Sequence, residues 1–357
     1  MQEWIYKSEE QAAAQLGSLY RRYGYTPYKM SRFEEYELYV RNKDFLLSDK
    51  IITFSDDTGR LLALKPDVTL SIVKNAPQEP GVVRKVCYKE SVYRDYREIL
   101  QTGLECVGDL GQYEIAEVVL LALKSLALLE GAFVLNLSHM GLVSEILDSY
   151  GFSGDEKQQA AACLRQKNSH ELRQLCMRSG QSFDKLEALL NCPSSGAAAL
   201  AQLEKVLCKK QEQQALEELK ELWAVVEENG WQEHVRLDFS VGSDLGYYSG
   251  VVFRGYLEGI PDSVLSGGQY DKLPRKMGRR SRAIGFGVYL DLLQSRGLPE
   301  NSADVDTLIL HDGSIALSRI TAAAEQAAKT GSVLVCTSLP KDRKWKQLIT
   351  LGKEANG

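Results

Sequence analysis

The stretch Val83–Gly108, VRKVCYKESVYRDYREILQTGLECVG, constrains the fold more than any other part of the chain. It opens on a strand-like run through Val83, Val86, Tyr88 and Val92 and closes on a second, Leu100–Val107, with a short charged connection, Asp95–Glu98, between them. Strand side chains alternate faces, so Gln101, Gly103 and Glu105 share one side of the second strand, and Leu100, Thr102, Leu104 and Cys106 share the other. The first side is a polar pair with a side-chain-free gap over Gly103, where something small has room to approach the backbone. Gln101 donates and accepts, Glu105 accepts, and Arg94 closes the first strand beside the turn. That set suits a small zwitterion with a cationic or hydrogen-bonding side chain. The competing reading is the solvated face of an ordinary amphipathic hairpin.

Around this hairpin the chain alternates strands and helices irregularly. Ala12, Leu16, Leu19 and Tyr20 are spaced for one buried helical face over Ser8–Tyr23, and Gly24 stops that helix. Ile51–Ser55 and Leu61–Leu64 flank Asp56-Asp57-Thr58-Gly59, a hairpin-turn signature. Asp67-Val68-Thr69 caps a short helix running to Asn75. Tyr113–Leu129 reads as a long apolar helix, Ala132–Leu137 as a strand and Leu142–Tyr150 as a helix. Residues 151–230 carry no strand signal; with a capping box at Ser153-x-x-Glu156, they read as a helical insertion. Sheet character resumes at Val235, Leu237 and Phe239, then at Val251–Tyr256 and after Gly285. Neighbouring strands joined by tight turns predict an α+β antiparallel sheet over residues 1–300. Residues 301–357 predict a small α/β unit: strand Asp306–Leu310, helix Ser314–Ala328, strand Ser332–Thr337, then a further helix.

Composition narrows the class. With 357 residues the chain is long enough for two or three domains, and 44% hydrophobic against 25% charged residues is typical of a soluble globular protein. A net charge of −5 argues against nucleic-acid binding through bulk electrostatics, although Lys272, Arg275, Lys276, Arg279, Arg280 and Arg282 form a local basic cluster. That cluster reads either as a solvated loop or as a docking face for an acidic partner or RNA. Seven scattered cysteines without a C-x-x-C pair fit a reducing compartment and argue against a zinc site. The opening MQEWIYKSEEQ is not a signal peptide, and Ile115–Leu129 falls short of a membrane span, so a cytoplasmic protein is expected, without membrane or metal.

Phosphate-loop, zinc-protease and nucleophile-elbow signatures are missing, and His139 reads as a loop or core hydrogen-bonder. Six stretches in order nevertheless carry a resemblance: Leu64–Thr69, Tyr93-Arg94-Asp95, Leu100–Gly108, Leu245–Phe253, Gly267–Asp271 and Ala283–Gly287. Together they resemble the histidyl-tRNA synthetase family over residues 15–295. The resemblance implies a class II aminoacyl-tRNA synthetase-like core, an antiparallel sheet flanked by helices and usually dimeric. It also implies a histidine-binding pocket at Asp67, Thr69, Arg94, Gln101, Glu105, Tyr247 and Tyr248, supported by the Gly267–Asp271 turn. There Asp67, Thr69 and Gln101 would hold an ammonium, while Glu105 and the Tyr248 hydroxyl would bracket an imidazole.

The departures from the family pattern bear on activity. An arginine that synthetases carry two residues before Leu-x-Tyr-Tyr is Ser243 here, and a later ATP-contacting arginine falls on Leu292. The loop after Arg94 is short, and Lys65-Pro66-Asp67-Val68-Thr69 stands where synthetases have R-P-E-G-T. Losing one preorganised donor to developing phosphate charge costs about 3–4 kcal/mol. The expectation is therefore a non-catalytic relative, without catalytic residues or cofactor, of the kind that serves as regulatory subunit of ATP phosphoribosyltransferase. Such a subunit would assemble with a short-form catalytic subunit in the first step of histidine biosynthesis and relay histidine feedback. The alternatives are an active or divergent histidyl-tRNA synthetase, or a partner- or RNA-binding scaffold with an empty pocket.

Overall fold

The computed structural model describes residues 2–357 except 47, 49, 77–78, 80, 130, 242–245, 297–302, 304, 342 and 353–357, and the side chains of 2–8 and 294–296 are likewise outside the description. The chain divides into two compact units, Met1–Arg296 and Gly297–Gly357.

The first unit begins with α1 (Gln2–Arg22), which buries Ala13, Leu16, Leu19 and Tyr20 at helical spacing and ends at Gly24, whose φ of 83° suits glycine. There follow β1 (Thr26–Pro27), β2 (Phe33–Glu35), α2 (Tyr36–Arg41), β3 (Thr53–Ser55), β4 (Leu61–Leu64) and α3 (Thr69–Lys74). Strands β2, β4 and β3 form a small antiparallel sheet whose β3–β4 turn is the expected Asp56–Gly59.

The hairpin comes next as β5 (Val83–Arg94) and β6 (Arg97–Gly108). Its turn is tighter than the sequence suggested. Only Asp95 and Tyr96 lie outside the strands, both with positive φ (49° and 62°), the two-residue mirror-image turn that matches strand twist. Arg94 therefore pairs with Arg97, and the second strand starts three residues before Leu100.

Then come α4 (Gln112–Leu128), β7 (Phe133–His139) and α5 (Met140–Ser149), where His139 caps the helix by accepting from the Leu142 N–H at 3.0 Å. The segment expected to be helical supplies α6 (Gly154–Arg165), α7 (Ser169–Arg178), α8 (Asp184–Leu190), α9 (Gly196–Val206) and α10 (Lys210–Glu228). Its buried leucines join the same apolar core as the sheet. Strands β8 (Val235–Leu237), β9 (Val251–Leu257) and β10 (Leu265–Gln269), helix α11 (Lys272–Lys276) and strand β11 (Arg282–Tyr289) complete the unit.

The main sheet has eight strands in the order β1-β5-β6-β11-β10-β9-β7-β8. Its interior pairs are antiparallel, with parallel pairs only at the edges, β1–β5 and β7–β8. One face packs on α1 and α4 through Leu104, Cys106, Phe253, Ile284, Phe286 and Val288. The other is covered in part by a second cluster in which Tyr39, Leu70, Val73, Val86, Tyr88, Val92 and Tyr270 are buried. No helix among the described residues is long and apolar enough to cross a membrane.

The second unit holds β12 (Val305–His311), α12 (Leu317–Ala328), β13 (Val333–Cys336) and β14 (Trp345–Leu351), a parallel sheet in the order β13-β12-β14. Here the sequence reading fails, because the last element is a strand and not a helix. The segment WKQLITL is short and β-branched near its end, and pairing beside β12 satisfies its backbone where seven residues would make a marginal helix.

Candidate functional site

The strand register brings Arg94, Gln101 and Glu105, singled out in the sequence, to one face of the main sheet. Reading across β5, β6, β11 and β10, one row is Val86, Glu105, Gly285 and Gly268, the next is Tyr88, Gly103, Gly287 and Ser266, and a third is Glu90, Gln101 and Tyr289. Gln101 and Glu105 are 4% and 2% exposed, so this is no solvated hairpin face. Leu104 and Cys106 point into the apolar core on the other side.

Further polar residues arrive from outside the sheet. Fully buried Lys65 pairs with Glu90 at 2.7 Å, and its carbonyl accepts from the Tyr93 N–H at 2.9 Å, which ties the β4–α3 connection onto β5. That connection presents Asp67 and Thr69. Asp67 accepts from the Leu70 N–H at 2.9 Å, capping α3, and Thr69 donates to Glu105 Oε1 at 2.8 Å. The second oxygen of Glu105 accepts from the Tyr270 hydroxyl. Arg94 donates to Gln101 Oε1 at 3.2 Å, its guanidinium 5.9 Å from the Tyr289 ring centre, while its buried Nε lacks a partner among the described residues. Tyr247 and Tyr248 lie ring against ring at 4.6 Å, Tyr247 also meeting Phe45 and Tyr270.

Glycines decide where there is space. A Cβ at Gly285 would fall on the Glu105 carboxylate, and one at Gly268 would come within 2.7 Å of the Tyr248 ring. The gap read over Gly103 exists, but it is filled from within. The Tyr88 hydroxyl would lie 2.6 Å from a Cβ there, because Tyr88 is directly opposite Gly103 in the ladder. The remaining bare floor is one strand over, at partly exposed Gly287, where a Cβ would meet nothing closer than 3.4 Å. Tyr88 and Tyr289 are thus residues of this face that sequence reading missed, whereas Tyr270 lies in the Gly267–Asp271 turn that the resemblance had given as its support. For Tyr88 the alternation with Arg94 along β5 was a signal, but its cross-strand partner could only be seen in the register.

Burial governs the electrostatics. It pushes the Glu105 carboxyl up to about 8, against the Tyr270 and Thr69 hydrogen bonds that favour the anion, with Asp67 adding to the rise. Asp67 is also raised by burial, and backbone N–H groups and Arg94 pull it back. Burial raises the phenols of Tyr88, Tyr247, Tyr248 and Tyr270, so all four act as neutral donors at physiological pH. The arrangement is an acid-rich recess of neutral donors, buried carboxyls and one arginine. Its chemistry suits a small polar cation or zwitterion; among these groups there is no strong nucleophile.

Of the two positions expected to lack family arginines, Leu292 packs against the apolar core, and Ser243 lies outside the described residues, as does Leu245. The basic cluster is largely engaged within the fold: Lys276 pairs with Asp44 at 2.8 Å, Arg279 donates to the carbonyls of Lys74 and Ala76, and Arg282 donates to that of Leu110 at 2.8 Å. A separate cleft of about 480 Å³ opens between α4 and α10, lined in part by Ile115, His139, Glu218 and Leu222, away from the Gln101/Glu105 face.

Comparison with known proteins places this geometry. A relative from Clostridium kluyveri named ATP phosphoribosyltransferase regulatory subunit is 27% identical, over 80% of this chain and 77% of its own length. The solved structure of an ATP phosphoribosyltransferase regulatory subunit/histidyl-tRNA synthetase from Bacillus halodurans is 26% identical, with a TM-score of 0.76 over 98% of this chain and 95% of that one. The ATP phosphoribosyl transferase complex from Thermotoga maritima shares the fold, with a TM-score of 0.63 at 18% identity over 79% of this chain and 97% of that one. The model of the family described as histidyl-tRNA synthetase matches residues 5–293, which span the whole main sheet and every pocket residue. The chain therefore belongs to the histidyl-tRNA synthetase family.

Proposed function

We propose that this chain is a regulatory subunit of ATP phosphoribosyltransferase, the role that its relatives' names carry. The observation behind the reading is an amino-acid-sized set of buried and partly buried polar groups (Asp67, Thr69, Arg94, Gln101, Glu105, Tyr247 and Tyr248), in a chain that carries Ser243 and Leu292 at the positions where the resemblance implies arginines in the synthetases. Adenylate formation needs cations opposite the α-phosphate, so the chain binds an amino acid without activating it. It assembles with the short-form catalytic subunit in the cytoplasm, as a homodimer within a hetero-oligomer, and does so without nucleic acid or membrane.

Histidine fits the recess by chemistry. Its ammonium meets Asp67, Thr69 and Gln101, and its imidazole lies between Glu105 and the Tyr248 hydroxyl. Burial favours the protonated form of the Glu105 carboxyl. A ligand carrying positive charge returns it to the anion, so binding is coupled to proton release. Feedback follows only if histidine binds two states of the assembly unequally.

The test is co-purification with the catalytic subunit, assayed with and without histidine. The reading expects activation by this chain, inhibition by histidine, and calorimetric histidine binding to this chain alone. Histidine-dependent pyrophosphate exchange by the purified chain would replace it with an active synthetase. Full activation without histidine binding up to millimolar would remove the feedback role.

A further inference from the structure

The row that crosses the pocket floor runs on past Ser266 to Arg254 on β9. Arg254 is partly buried and lies on the same face as Gly287 and Ser266, and its side chain makes no hydrogen bond or ion pair among the described residues. Its charge also reaches Tyr248, where it works against the burial that raises that phenol. Between Arg254 and the pocket centre the floor carries, among the described residues, the Gly287 backbone and a Ser266–Tyr289 hydroxyl pair at 2.7 Å. With strands about 4.8 Å apart, the Arg254 backbone stands two strands, about 10 Å, from Gly287, a distance that the arginine side chain and an amino acid lying over the floor span together. The recess is therefore polarised, with the carboxyls of Asp67 and Glu105 on the α3 and β6 side and, on the β9 side, a guanidinium without a partner among the described residues. Withdrawing a cation from water without a partner costs free energy, and an anion arriving with the ligand would offset it.

We propose that Arg254 is the seat for the α-carboxylate of the bound amino acid and sets the preference for an amino acid over its decarboxylated or reduced analogues. The inference rests on the reading of the pocket as a histidine site. It assigns the carboxylate to a residue outside the set that resemblance supplied.

Calorimetry on the full chain with L-histidine and L-histidinol, which replaces the carboxylate by an alcohol, tests it with wild type, R254M and R254K. A charge-assisted pair of this kind makes wild type prefer histidine by about ten- to hundredfold. In R254M the two ligands should bind within about twofold of each other, with histidinol affinity unchanged, and R254K should recover part of the preference. A histidine preference that survives in R254M overturns the inference and leaves the histidine site standing. Wild type that binds neither ligand overturns the histidine reading, and the inference with it. Thermal melts check that each variant folds; if R254M does not, R254Q takes its place and is judged by the same ratio.

Discussion

The two faces of the main sheet come from the same strands and obey different rules. Toward α1 and α4 the side chains are apolar and interlocked, as where Tyr20 meets Phe286 edge-on at 5.8 Å. On the other face glycines alternate with buried Gln101, Glu105 and Arg94, and each polar group depends on a neighbour from another element. One face is held by area removed from water, which tolerates exchange among apolar residues of similar volume. The other is held by specific partners, so it is where small changes alter function before they alter the fold.

Substitutions separate the two faces, and the largest effect belongs to the apolar one. Leu104→Ala, at a fully buried position of β6, should cost about 2–5 kcal/mol in chemical denaturation and leave the ligand-binding face intact. Glu105→Gln should come next. Because the Glu105 carboxyl is raised to about 8, the folded chain keeps a proton that the unfolded chain releases above its ordinary carboxylate range. Its contribution to stability is full at pH 4 and is lost as pH rises toward 8, on the order of a few kcal/mol. The variant should therefore flatten the fall in stability between pH 5 and 8 measured by denaturant titration; an unchanged slope would mean that Glu105 is already ionised. Tyr270→Phe removes one donor to that carboxylate and should weaken histidine binding about tenfold, with a stability loss of about 1 kcal/mol. Gly287→Ala should change stability least, within about 0.5 kcal/mol, since the added methyl meets only ordinary contacts. It should still lower histidine affinity by occupying the floor, and unchanged affinity would move the ligand off Gly287.

Much of this division was legible in the hairpin itself. A period of two put Gln101, Gly103 and Glu105 on one side and Leu104 and Cys106 on the other, and the pairing kept that assignment. The turn width was less legible, because Asp95-Tyr96 lacks the glycine that usually marks a two-residue hairpin turn. The last strand was misread because WKQLITL has too few residues for periodicity to separate strand from helix.

By itself the sequence determined the alternation of faces, the antiparallel α+β class and the family. These depend on local spacing and on motifs in fixed order. Tertiary structure alone decided that Tyr88 closes the space above Gly103, that Tyr270 is the phenolic partner of Glu105, and that Gly287 and Arg254 share one line across the floor. Those relations join residues far apart in the chain, and the strand register that brings them together is set by the whole sheet.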